Sequence, residues 1–229
     1  MDKEGLKKLL TDLDVDSETL LLKLINEKGL TEDGIKRIMH AQSPKFVATL
    51  SDVRPGMFLT KEGYVSRNYI ADEIIAMVIG VFGNKIEALS VIGKEMPFGS
   101  SELFVDTEGL SGLEATRLIV AEAERLNLQA DAAGYCQNFT VPGLVKPGDA
   151  FLLAKEEIID VHSYFYNIQE ALHNIKFTSG CLWSSSMLKK SSSVPLIKVY
   201  ALRSPMISDE MPDFSMYVYP AFFVPFRKP

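Results

Sequence analysis

The sequence predicts an α+β fold in which a small helical module precedes one larger domain. All 22 aromatic residues (one Trp, eight Tyr and 13 Phe) lie at Phe46 or later in the chain of 229 residues. Residues 1–45 repeat leucines at helical spacing, whereas the part after Phe46 mixes hairpin patterns with helix patterns. A segment without aromatic side chains buries little area per residue. We therefore predict a helical assembly or attachment module at residues 1–45 and a separate domain at residues 46–229.

Residues 1–45 have the pattern of three short helices. The leucines between Leu6 and Leu13 follow an i, i+3, i+4, i+7 spacing. Asp16 or Ser17 can cap the second helix, and Thr31 can cap the third. The leucine stripes predict either a small helical module or an arm that completes its core against a partner.

The larger part begins with two hairpin patterns, followed by helices and then by aromatic strands. Gly83-Asn84 predicts a two-residue turn in the second hairpin. The predicted hairpins pair residues 57–59 with 64–66 and residues 73–82 with 85–92. The predicted helices are residues 113–126, 129–139, 155–165 and 168–175, and the late strands are residues 197–202, 214–219 and 222–226.

Charge and hydropathy exclude two classes of partner. The net charge is −6, and the longest basic clusters are pairs of lysines, which is too little basic surface for a nucleic-acid partner. No apolar run reaches the roughly 18 to 20 residues that span a bilayer, so we expect no membrane insertion. The charged start of the sequence has no signal-peptide pattern, which predicts synthesis in the cytoplasm without a signal peptide.

No catalytic, metal or cofactor motif stands out, so we expect no cofactor. The run from Asp12 to Ser17 resembles the start of a calcium loop, but Lys23 stands where that loop needs a bidentate Glu. The three histidines lack a metal-ligand spacing. Glu156, Glu157 and Asp160 could form a carboxylate pair for acid–base chemistry, although neighbouring charges on a helix usually form a solvated face.

Two sets of residues are candidates for binding and for structure. Residues 187–213 form a long, charged segment that either carries a binding site or is a mobile connection. Its charged binding candidates are Lys189, Lys190, Arg203, Asp209, Glu210 and Asp213. We expect structural roles for Trp183, before three serines, and for Cys136 and Cys181, whose apolar neighbours suggest buried reduced thiols. A disulfide formed after release from the cell is the alternative.

From about Pro55 to Phe226 the sequence resembles the C-type-lectin-like domains of Bacteroidetes and their phages, which include the Fibrobacter-type paralogous proteins. The resemblance depends on the order of several short segments and not on any one of them. These are residues 55–59 with 63–66, 74–81, 86–91, 112–119, 130–136, 148–153, 156–164 with 168–175, and 182–186. The Glu-Pro-Asn and Trp-Asn-Asp calcium motifs of lectins are absent, so the resemblance does not imply calcium-dependent sugar binding.

The resemblance implies a fold of two helices with a small antiparallel sheet, and a ligand surface on the long loops and late strands. Together with the missing signal peptide, it favours a non-enzymatic structural or adhesion protein, namely a virion component of head-fibre or tail-fibre type from a Bacteroides phage. Such fibres are usually homo-oligomers, commonly trimers or dimers, so the leucine stripes of residues 1–45 would contact other copies and other virion proteins. The domain would bind a cell-surface glycan or protein in host attachment. The alternatives are a cytosolic scaffold protein and an enzyme of formylglycine-generating type, which would need Cys136 and Cys181 close together and exposed.

Overall fold

The computed structural model describes residues 46–69, 72–161, 181–188, 195–201 and 207–229. The contacts of the chain divide it between Ser43 and Pro44, and the unit from Pro44 to Pro229 contains the described residues. The predicted module at residues 1–45 lies outside the described residues, so that part of the domain assignment stays a prediction. None of the helices in the described part of the chain is long and apolar enough to cross a bilayer.

The first sheet has six strands, in the order β2-β1-β3-β4-β11-β6. Every neighbouring pair in it is antiparallel. Both predicted hairpins form, the second around Gly83-Asn84. The last strand of the chain lies inside the sheet, between β4 and β6. The strands are β1 (Phe58–Thr60), β2 (Val65–Ser66), β3 (Ile74–Phe82), β4 (Lys85–Ser90), β6 (Ala150–Phe151) and β11 (Ala221–Pro225).

The second sheet has five strands, in the order β5-β10-β7-β8-β9. Only the pair of β10 with β7 is parallel. The strands are β5 (Lys94–Met96), β7 (Cys181–Leu188), β8 (Leu196–Ala201), β9 (Ile207–Glu210) and β10 (Met216–Val218). Two antiparallel stretches of chain cross from one sheet to the other, because β4 is followed by β5 and β10 by β11. At this crossing Gly93 lies against the Tyr219 ring, where any Cβ would overlap the ring.

Two helices pack against the second sheet. Helix α1 (Gly112–Leu126) begins with a capping box in which Ser111 and Glu114 bond each other's backbone N–H. It ends at Asn127, a residue in the left-handed conformation (φ 54°). Helix α2 (Asp131–Asn138) follows directly. Residues 155–161 are also helical, and we call them the helix segment.

Three apolar clusters form the core, and the first sheet is buried on both of its faces. One face packs into a cluster that we call the apolar face cluster: Val47, Val53, Leu59, Val65, Ala76, Val78, Ile86, Ala88, Val141, Val145, Ala150, Phe222 and Val224. The other face packs against Ile158 and Val161 of the helix segment. The second sheet shares its cluster with α1 and α2, with Trp183 and Ile119 in the centre.

The predicted C-type-lectin-like fold class is wrong, because sheets of six and five strands dominate the described chain. A fold of two helices with a small sheet does not accommodate eleven strands. The predicted hairpins form, and the predicted helices 113–126 and 129–139 form as α1 and α2. Of the predicted helix 155–165, the described residues 155–161 are helical, whereas residues 162–165 and the predicted helix 168–175 lie outside the described residues. The error arose from short strands that lack an alternating pattern, such as β5, β6 and β9, which have three, two and four residues. The partners of β5 and β6, which are β10 and β11, lie far away in the sequence, so local patterns do not reveal these strands.

Candidate functional site

A groove with a volume of about 490 Å³ lies where β7 departs from regular pairing with β8. Trp183 pairs with Val199 and Met187 with Ile197, so β7 contains two more residues than β8 between these pairs. The extra chain is part of Ser184-Ser185-Ser186, whose small side chains suit a bulge. We call this the polar groove. It is lined by Phe104, Asp106, Thr107, Glu108, Gly109, Lys155, Glu156, Ser186, Met187, Leu188 and Lys198.

Hydrogen bonds between distant parts of the chain hold the polar groove in shape. The Met187 N–H donates to Thr107 Oγ1 at 2.9 Å, joining β7 to the loop before α1. The Lys155 N–H donates to Ser186 Oγ at 2.9 Å, joining the start of the helix segment to β7. Ser184 Oγ donates to the Lys198 carbonyl at 2.8 Å. A groove built from such contacts is formed before any ligand arrives.

The charges around the polar groove are mixed, with an excess of acid. Asp106, Glu108 and Glu156 are exposed carboxylates, and Lys155 is half-buried. Lys198 is already neutralised by Asp209, at 2.5 Å across the β8–β9 pair. The lining therefore offers carboxylate acceptors, hydroxyl groups and the ammonium group of Lys155, whereas the charge of Lys198 is already balanced by Asp209. This combination suits a ligand rich in hydroxyl or amine groups.

The binding residues expected from the sequence lie in different places. Asp209 reaches the border of the polar groove through its ion pair with Lys198. Glu210, its neighbour on β9, accepts a hydrogen bond from the Ser208 hydroxyl at 3.3 Å. Asp213 lies in the turn between β9 and β10. Lys189, Lys190 and Arg203 lie outside the described residues, so their role stays a prediction.

Trp183 and Cys136, two of the expected structural residues, lie in the core of the second sheet. The Trp183 side chain is 1% exposed, its Nε1–H donates to the Met96 carbonyl at 2.9 Å, and its ring meets Phe98 edge-on at 5.5 Å. Cys136 is a free and fully buried thiol, and burial raises its pKa. A buried thiol with a raised pKa is a poor nucleophile. The Cys181 side chain lies outside the described part.

Glu157 is a structural residue whose role the sequence did not reveal. Its carboxylate accepts the Gly112 N–H at 3.0 Å (Oε1) and 3.2 Å (Oε2) and the Ala154 N–H at 2.7 Å (Oε2). It thus caps α1 and the helix segment at once, where free N–H groups attract an anion. We call this set of contacts the Glu157 junction. Glu157 belongs to the three carboxylates that the sequence offered for acid–base chemistry, and its contacts are those of a helix cap.

The groups around the polar groove can bind a ligand, and their present partners do not form a catalytic set. The Thr107 and Ser186 hydroxyl oxygens accept backbone N–H groups. Among the described residues, no group of three or more His, Cys, Asp or Glu side chains is placed to hold a metal ion. No sequence signal marked Thr107, Lys155 or Lys198 for this site. The serine run after Trp183 was the one local sign of a bulge.

Comparison with protein families finds no match, and comparison with curated proteins finds none either. Among solved structures, the chain is similar to the crystal structure of a fimbrial protein from Bacteroides ovatus ATCC 8483, with 11% sequence identity and a TM-score of 0.49. The match covers 76% of this chain and 49% of the fimbrial chain, so this chain spans about half the length of that protein. A likeness at this level carries no argument about function. None of these comparisons bears on the resemblance to the lectin-like family, which stays a prediction although the fold it implied is wrong.

Proposed function

We propose that the chain is a non-enzymatic adhesion protein that binds a cell-surface glycan in the polar groove. The observation that carries this proposal is the pre-formed groove at the β7 bulge, whose volume of about 490 Å³ is in the range of small-ligand sites. Glycan hydroxyl groups are donors and acceptors, and they match the carboxylates of Asp106, Glu108 and Glu156. The exposed apolar side chain of Leu188 provides contact for the face of a sugar ring.

A glycan array probed with the labelled full chain tests this proposal, followed by calorimetry on each glycan that binds. The double variant Glu108→Ala/Lys155→Ala removes one acid and one base from the groove. Lys61→Ala/Glu62→Ala, on the β1–β2 turn, removes the same charges elsewhere. We expect the groove variant to weaken binding by about tenfold or more, which corresponds to about 1.4 kcal/mol, and the turn variant to change it little. Equal effects of the two variants, or cleavage of the bound glycan seen by mass spectrometry, would contradict the proposal.

We further propose that residues 1–45 join copies of the chain into a fibre of a phage virion. The support is the leucine pattern of that segment and the self-contained unit that begins at Pro44. Light scattering of the full chain and of a chain starting at Pro44 tests it. We expect a dimer or trimer for the first and a folded monomer for the second. Two monomers would remove the assembly role and leave the groove proposal untouched.

A further inference from the structure

Glu87 is a buried carboxylic acid in the middle of the first sheet. It lies on β4 between Gly80 of β3 and Phe223 of β11, and 6% of its surface is exposed. A Cβ at position 80 would lie 3.1 Å from Glu87 Oε2 and 2.9 Å from the Phe82 ring. The glycine therefore provides the space that the carboxyl group occupies. No hydrogen bond or ion pair to another described residue holds this carboxyl group.

The side chain of Glu87 projects from the face of the sheet that the helix segment covers. Residues on β4 alternate between faces, so Glu87 shares a face with Leu89, which packs with Ile158 and Val161 of the segment. The same segment carries Glu157, whose carboxylate is held by the N–H groups of Gly112 and Ala154. Burial, and then the charge of Glu157, raise the pKa of Glu87 to about 7.

Within the described part of the chain, the charged groups around Glu87 come from two elements. Strands β3 and β11 contain no charged residue. Its own strand contributes Lys85, which is exposed at the hairpin end. The helix segment contributes Lys155, Glu156, Glu157 and Asp160. Of these groups, Glu157 is the one whose charge acts on Glu87.

We propose that Glu87 and Glu157 form a pH-sensitive contact that controls how tightly the helix segment packs on the first sheet. Protonated Glu87 is neutral and fits the apolar contact. Ionised Glu87 has no partner of opposite charge among the described residues, and it repels the Glu157 carboxylate that caps the segment. Because Glu157 caps the segment through the Ala154 N–H, we expect the first turn of the segment to loosen together with Glu157. The first residues of the segment, Lys155 and Glu156, line the polar groove. Looser packing of the segment therefore also changes the wall of the groove.

The direction of the pH effect follows from the shifted pKa of Glu87. In the unfolded chain the carboxyl group loses its proton near pH 4.5, and in the folded chain it does so near pH 7. Between these values the folded protein holds more protons, so its stability falls as the pH rises. Above pH 7 Glu87 is ionised in both the folded and the unfolded chain, so the loss of stability is complete. The shift of 2.5 pH units (7 minus 4.5) sets a ceiling of roughly 300-fold on the change in the opening equilibrium.

Hydrogen–deuterium exchange of the full chain at pH 5.5 and pH 8.0 tests the proposal, after correction for the intrinsic exchange rates. In the peptide covering residues 152–161 we expect protection to fall by about tenfold or more at pH 8.0, within the ceiling above. Helix α2 serves as an internal reference, and its protection should change less. In Glu87→Gln, which is neutral and of equal size, the peptide should keep its low-pH protection at both values. The exposed Glu102→Gln should behave as the original chain.

Two results would overturn the proposal. One is equal protection of residues 152–161 at both pH values in the original chain, a result that needs no variant. The other is a loss at pH 8.0 that persists in Glu87→Gln, which would assign the effect to other titrating groups such as the histidines. Neither outcome depends on whether the polar groove binds a glycan.

Discussion

The apolar face cluster and the Glu157 junction stabilise neighbouring parts of the domain by different means. The cluster consists of 13 buried apolar residues, contributed mainly by the strands of the first sheet. The junction depends on one carboxylate that receives N–H groups from Gly112, at the start of α1, and from Ala154. Burial of apolar surface is non-directional and scales with area, whereas a hydrogen-bonded cap depends on the position of single atoms.

This difference shows which features of the chain tolerate change. A cluster of this kind loses stability in proportion to the volume removed, and neighbouring side chains partly fill the space. The junction cannot compensate in this way, because its three hydrogen bonds all depend on the Glu157 side chain. Its total contribution is nevertheless smaller, since hydrogen bonds replace bonds to water on folding.

Phe222→Ala tests the apolar face cluster. Phe222 is fully buried and stacks on Phe139 with ring centroids 5.9 Å apart. We expect a loss of about 3–5 kcal/mol in the free energy of unfolding, from lost burial and the cavity left behind. Urea denaturation measures it as a lower midpoint with an unchanged slope. Phe214→Ala, whose ring is 47% exposed, is the control and should cost less than about 1 kcal/mol. Similar losses for both variants would show that burial of the side chain does not determine its contribution to stability at this face.

Gly112→Ala tests the close approach at the Glu157 junction. A Cβ on Gly112 would overlap the Leu152 carbonyl oxygen and the Glu157 carboxylate. We expect a loss of about 2–3 kcal/mol, because backbone atoms must move to admit the methyl group. Gly134→Ala in α2 is the matched control, since no atom lies within 4 Å of its added Cβ. That variant should gain roughly 0.5–1 kcal/mol from helix propensity. A neutral Gly112→Ala would mean that the junction is loosely packed.

Glu157→Gln tests the hydrogen bonds of the junction at constant shape. The amide keeps one acceptor oxygen and turns an NH₂ group toward backbone N–H groups, so we expect a loss of about 1–2 kcal/mol. The measurement is made at pH 5.5, where Glu87 retains its proton. Glu156→Gln, its exposed neighbour, should change stability by less than about 0.5 kcal/mol. A loss as large as that of Phe222→Ala would reverse the ranking of the two regions, and no difference from Glu156→Gln would remove the role of Glu157.

The parts of the fold that the sequence predicted are those in which neighbouring residues interact. Gly83-Asn84 between two apolar runs predicted the β3–β4 hairpin, and the structure has it. The spacing from Leu113 to Leu126 predicted α1, which begins one residue earlier because Ser111 caps it. The position of β11 between β4 and β6 was not predictable, because strand order depends on residues more than 60 positions apart in the chain.

The polar groove and the junction were even less predictable. In the segment 187–213, β8 matches the predicted strand 197–202, whereas β9 was not predicted. The groove draws on Thr107, Lys155 and Lys198 from three separate segments. Glu157 was recognisable as a carboxylate on a helix, but its partner Gly112 lies 45 residues away. From the sequence, Glu157 could belong to a solvent-exposed helix face or to a carboxylate pair for acid–base chemistry, because both roles have the same local pattern.

By itself, the sequence determined the local elements, the aromatic boundary at Phe46 and the acidic net charge of −6. Periodicity, turn chemistry and capping act over a few residues, so they can be seen in a single chain. The tertiary structure alone decided that the strands form two sheets, that the β7 bulge opens a groove, and that Glu87 is buried facing the segment of Glu157. These features depend on which distant segments exclude water from each other, and burial of that kind is a property of the assembled fold.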